Sequence, residues 1–164
     1  MDGFTRQETL ALTQITSSRL AYLDRTSVVV PKKYGNSKKP TVIYTWEQLL
    51  EIRTIANLRK QISLQMVRKL VSFLDEHGLD ITLHDKHLVA TPNEVFLVMP
   101  DWSDMPQVMK VADRDGEGLG QLVLLVLPPL KTVIQEIWNA AANSTLVDFE
   151  SFKQRAKSAP AQAG

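Results

Sequence analysis

The stretch SRLAYLDRTSVVVP, residues 18–31, decides how the first half of this chain is read. Thr16 and Ser17 stand before it as hydroxyl N-caps, and Leu20 and Leu23 share a face, so a helix is predicted over 17–25. Val28, Val29 and Val30 are β-branched and run into Pro31, which predicts a short strand. The next nine residues, KKYGNSKKP (32–40), hold four lysines, a Gly-Asn turn pair and a proline, and build no core. Val42, Ile43 and Tyr44 predict a returning strand. Two strands would then flank a basic loop in a wing-like hairpin.

Upstream, Thr5-Arg6-Gln7-Glu8 has the form of a capping box, with Phe4 placed as a staple, and predicts a helix over 5–13. Downstream, Thr45 with Gln48 predicts the start of a third helix, whose apolar stripe is Leu49, Ile52, Ile55, Ala56 and Leu58. Ser63 caps a fourth, with Met66, Val67, Leu70, Val71 and Leu74 in period and Gly78 at its end. DITLHDKHLVATPNEVFLVMP (80–100) then alternates apolar and polar residues and predicts strands over 80–84, 87–91 and 94–99. QVMKVA (107–112) predicts a fourth strand, and QLVLLVL (121–127) fits either a buried strand or a helix. Pro128-Pro129 admit a helix over 130–142 with Val133, Ile134, Ile137 and Trp138 on one side.

Net charge over the 164 residues is +1, but the halves differ. Residues 1–69 carry 12 Lys and Arg against 5 Asp and Glu, whereas residues 70–164 carry 7 against 13. A basic segment joined to an acidic one points to a polyanion-binding part coupled to something else. No apolar run approaches the roughly 18 residues of a membrane helix, so no membrane association is expected. There is no cysteine, which excludes disulfides, thiol nucleophiles and thiolate metal sites. The N-terminus lacks the pattern of a secretory signal, and a cytoplasmic protein is expected.

The order of these features resembles the MerR family of bacterial transcription regulators. The family's pattern after its helix-turn-helix is L-R-Y-Y-E-R-x-G-L-L-x-P. Leu20-Ala21-Tyr22-Leu23-Asp24-Arg25-Thr26-Ser27-Val28-Val29-Val30-Pro31 is similar to it without a gap. Tyr44-Thr45-Trp46-Glu47-Gln48-Leu49 resembles the tyrosine and capped helix after the family's wing, and residues 52–74 resemble its two-helix segment. The resemblance spans about residues 4–77. It implies a winged helix-turn-helix over 1–77. The residues after it depart from the family, whose members commonly end in a long dimerising helix. Their own pattern gives a small β-rich lobe with a closing C-terminal helix over 78–143, so an α+β fold is expected. Residues 144–164 are expected to form a flexible tail. Family members usually carry arginine where this chain has Ser18, Ala21 and Val42.

A helix offered to a major groove reads base edges, and flanking cations neutralise phosphates. Thr16, Ser17, Ser18, Arg19, Tyr22 and Arg25 are the candidate readers on the second helix. Lys32, Lys33, Lys38 and Lys39 are the candidate phosphate contacts, with Tyr44 at the hairpin base. The expectation is a sequence-specific regulator that binds double-stranded DNA as a homodimer. Leu122, Leu124, Val126, Val133, Ile137 and Trp138 are expected at a dimer or partner interface, because that stripe exceeds what one face of a small lobe buries. An antitoxin or protein-interaction adaptor acting through the acidic C-terminal lobe is the alternative. His84-Asp85-Lys86-His87 offers too few ligands for a metal, and DGEGLG (115–120) lacks the lysine of a phosphate-binding loop. No nucleophile motif is present, so no catalysis, cofactor or metal is expected.

Overall fold

The computed structural model describes residues 2–60, 62–78, 83, 87–90, 94–99, 107–113 and 130–160. Among them the protein is α+β, with six helices and two three-stranded antiparallel sheets. Two compact units are present, Met1–Ala56 with Pro129–Gly164, and Asn57–Pro128. This differs from the expected division at 77/78. The closing helix belongs to the unit formed by the N-terminal residues, because its apolar face is buried there.

In the first unit, β1 (Phe4–Thr5) leads directly into α1 (Arg6–Thr13). The capping box forms as expected: Glu8 N–H donates to Thr5 Oγ1 at 3.3 Å, and Thr5 N–H donates to Glu8 Oε2 at 2.9 Å. Gln14 ends α1 in the left-handed region, with φ of 59°, and its N–H donates to the Leu10 carbonyl. Ile15 is buried in the connection, and Thr16 caps α2 (Ser17–Arg25). The hairpin follows, with β2 (Lys32–Tyr34) and β3 (Thr41–Tyr44). Sheet order is β1-β3-β2, with Phe4 opposite Tyr44 and Lys33 opposite Val42.

Val28–Val30 are not a strand, contrary to the β-branched signal. Ser27 takes φ of 60°, and the Val28 and Val29 N–H groups both donate to the Leu23 carbonyl. These donors close α2 in a Schellman-type turn and are no longer available to a sheet. Pro31 has no N–H to give. Val28 and Val29 are core residues, while Val30 is 51% exposed. The first hairpin strand is instead Lys32–Tyr34, within the segment read as loop.

Next is α3 (Trp46–Leu58), capped reciprocally by Thr45 and Gln48 as expected. The Gln48 amide also donates to the Val30 carbonyl at 2.7 Å, tying the cap to the segment before the hairpin. In the second unit lie α4 (Leu64–Glu76), capped by Ser63 and followed by Gly78, and the sheet β4 (His87–Ala90), β5 (Glu94–Met99) and β6 (Gln107–Asp113). Neighbours in this sheet are antiparallel in chain order, and Phe96 faces Lys110 after a register shift that leaves Val111 as a bulge. Three of the four predicted strands are thereby present. The strand expected at 80–84 and the segment 121–127 lie outside the described residues.

The chain returns to the first unit with α5 (Leu130–Asn143) and α6 (Phe149–Arg155). Residues 149–155 were expected in a flexible tail and are instead helical. Asp148 caps α6 by accepting the Ser151 N–H at 2.7 Å, and Lys153 and Arg155 sit in its last turn, where cations oppose the helix dipole. Phe152 is fully buried and meets Phe4, Trp46, Trp138 and Phe149, with ring centroids 5.2–6.1 Å away. Ser158 accepts both indole N–H groups, from Trp46 on its Oγ and from Trp138 on its carbonyl.

Candidate nucleic-acid interface

The second helix and the hairpin place most of the candidate contacts on two adjoining elements. Thr16, Ser17, Ser18 and Arg25 are exposed, Arg19 and Tyr22 are half-buried, and Leu20 and Leu23 face fully inward. Thr16 Oγ1 accepts the Arg19 N–H at 3.4 Å and lies 3.3 Å from Ser18 Oγ. The Arg25 guanidinium stands 5.7 Å from the centroid of the Tyr22 ring, so these two side chains form one cation–π surface a turn apart.

Both ends of α2 are held by charged contacts. Arg6 Nη2 donates to the Ser17 carbonyl at 3.1 Å and to Ser17 Oγ at 2.7 Å. Ser17 is therefore partly committed to an internal bond. At the other end, Lys33 Nζ lies 2.7 Å from Asp24 Oδ2. Lys33 is thus ion-paired within the protein, unlike the free phosphate contact expected of it. Lys32 is on the same strand, and Lys38 and Lys39 are in the turn, where Asn36 Oδ1 accepts the Lys38 N–H and the Asn36 carbonyl accepts that of Lys39. Gly35 makes the turn with φ of 86°.

Tyr44 corrects the expectation set for it. It is 1% exposed and has no face left for a phosphate. Burial raises the pKa of its phenol, against the opposing charge and hydrogen bond of Arg6. The residue plugs the base of the hairpin. Val133 and Ile137 are likewise fully buried within their own chain and offer no free apolar face to a second copy, whereas Trp138 is half-buried and donates its indole N–H to the Ser158 carbonyl. Leu122, Leu124 and Val126 lie outside the described residues.

Between Glu8 and Glu47 the sequence has one acidic residue, Asp24, and Lys33 neutralises it. Arg19, Arg25, Lys32, Lys38 and Lys39 have no carboxylate partner among the described residues. The surface formed by α2 and the hairpin is accordingly cationic, with hydroxyls at the start of the helix. Arg6 was not singled out in the sequence, although a basic residue in the first turn of α1 is available to reach the start of α2. Tyr34, 54% exposed within the lysine-rich run, likewise carries no sequence signal that marks it as a contact.

No helix among the described residues is long and apolar enough to cross a membrane. Among the described residues no three His, Asp or Glu side chains converge as a metal site would need. No protein-family model matches the chain, and no curated protein is significantly similar to it.

Proposed function

We propose that this protein is a sequence-specific transcription regulator that binds double-stranded DNA through a MerR-like winged helix-turn-helix and acts in the cytoplasm. In this reading α2 enters the major groove, and the hairpin is the wing. Arg19 and Arg25 supply the forked donors that suit guanine edges, and Ser18 supplies a hydroxyl. Lys32, Lys38 and Lys39 lie along phosphates and give a salt-sensitive affinity that does not depend on sequence. The observation that carries the reading is the cationic helix–hairpin surface, in which the sole carboxylate is already paired with Lys33. A homodimer would reach two half-sites. Its contact face would have to lie elsewhere than on Val133 and Ile137, which are buried.

The test compares two substitutions on a selected site and on random duplex. Arg19→Ala weakens the selected site by about 1–3 kcal/mol and barely changes random binding, while Lys38→Ala weakens both alike. Equal losses for the two substitutions on both duplexes contradict base reading by α2.

A second reading, a protein-interaction adaptor or antitoxin, is favoured by Ala21. This residue is exposed on α2 where the resemblance implies an arginine. Copurification of a basic protein partner, together with no affinity for duplex at low salt, would support it.

A further inference from the structure

Strand β2 separates its two lysines. Side chains alternate along a strand, so Lys33 lies on one face and Lys32 and Tyr34 on the other. The Lys33 ammonium reaches back to Asp24, in the last turn of α2, at 2.7 Å. At the far end of the same helix, Arg6 grips Ser17 through two hydrogen bonds. The helix is therefore fastened at its start to α1 and at its end to the hairpin. The hairpin joins the chain on either side through short segments, and the Gln48–Val30 bond anchors the one before it. Its other strand, β3, is held in the sheet by β1, so β2 is an edge strand, and the Asp24–Lys33 pair ties that edge directly to α2.

We infer that Asp24 and Lys33 form a positioning strut that sets the hairpin against α2, so that helix and hairpin meet one duplex together, and that Lys33 makes no phosphate contact. This inference rests on the DNA-binding reading above and deepens it. The pair is partly exposed, with side chains 46% and 27% accessible, so its effect is modest and falls on geometry more than on stability.

The experiment measures affinity against salt for the full chain, on a duplex selected from a random pool and on random duplex. Lys38→Gln is the reference for a true phosphate contact and lowers the log–log salt slope by about one. Lys33→Gln is expected to leave the slope unchanged while the selected-to-random ratio falls about two- to fivefold. Asp24→Asn is expected to give the same fall in ratio but a slope steeper by about one, because the freed ammonium can reach a phosphate. The exchanged pair, Asp24→Lys with Lys33→Asp, is expected to restore the ratio, as coupling between two charges requires. A loss of slope in Lys33→Gln equal to that in Lys38→Gln would overturn the strut and leave the DNA-binding reading intact. So would an unchanged ratio in both single variants. Failure of the unaltered protein to bind either duplex at low salt would overturn both.

Discussion

Arg155 and Glu8, 147 positions apart, form a two-pronged ion pair, with Nη1 donating to Oε2 at 3.0 Å and Nη2 to Oε1 at 2.8 Å. The same Nη1 donates to the Gly3 carbonyl at 2.8 Å, and the guanidinium lies 4.5 Å from the centroid of the Phe4 ring. Glu8 meanwhile accepts the Thr5 N–H that completes the capping box of α1. One arginine near the end of the chain thereby fastens β1, the start of α1 and α6. Both partners are largely buried, so fork geometry and desolvation make this bond stronger than a surface pair. Arg155→Met is expected to lower unfolding free energy by about 1–3 kcal/mol, since it leaves Glu8 short of a charged partner. Denaturant titration reads this as a fall in the midpoint at constant slope.

The pair also makes stability depend on pH. Burial pushes the Glu8 carboxyl up, but the hydrogen bond and charge of Arg155, with the Thr5 contacts, outweigh it and hold the group below its ordinary value. A depressed carboxylate stabilises the fold fully above its unfolded pKa, and this contribution is lost as pH falls through the lower folded value. Melting temperature should therefore drop below about pH 4.3, the ordinary glutamate value. In Glu8→Gln that part of the acid transition should be absent. An unchanged acid profile in Glu8→Gln would show that Arg155 does not act through this carboxylate.

Phe152 is the hub of the aromatic cluster that joins α6 to Phe4, Trp46 and Trp138. Phe152→Ala removes a fully buried ring and should cost about 3–5 kcal/mol. Tryptophan emission should shift to the red in the folded baseline, because both indoles border the site. Deletion of residues 149–164 should then have an effect at least as large. A near-neutral deletion would contradict the placement of α6 in the core.

Gly3 allows β1 to pass close against β3. A Cβ there would stand 2.9 Å from the Tyr44 carbonyl and would run into the Ile43 side chain. Gly3→Ala should therefore lower the thermal midpoint by several degrees, with the loss about 1–3 kcal/mol. A midpoint equal to that of the unaltered protein would mean that β1 can move away without cost.

The caps of α1, α2, α3 and α4 were legible because each is written within four residues: Thr5 with Glu8, Thr16, Thr45 with Gln48, and Ser63. The hairpin was legible in outline from its turn residues and its lysines. At Val28–Val30 the β-branched side chains favour a strand, but the backbone decides, since the helix end consumes the N–H groups of Val28 and Val29 that a strand needs. α6 carried a local signal, Asp148 followed by Phe149 and Phe152, which the polar residues after it masked. Nothing local could have shown that Arg155 reaches Glu8, that Arg6 holds Ser17, or that Tyr44 is sealed from solvent. Those facts arise from contacts across the fold. For the candidate site, the cations were legible in the sequence, whereas the pairing of Lys33 with Asp24 and the burial of Tyr44 were not.

The most direct test of the central claim is binding of the full chain to random-sequence duplex DNA across a salt series, followed by selection from a random pool. A log–log slope of about −3 to −5 per bound protomer is expected, from three to five phosphate contacts by the unpaired cations, with an enriched motif in the selected pool. A two-fold symmetric motif would in addition give the half-site spacing of a dimer. No binding at low salt, or binding with no enrichment of any sequence, would contradict the claim.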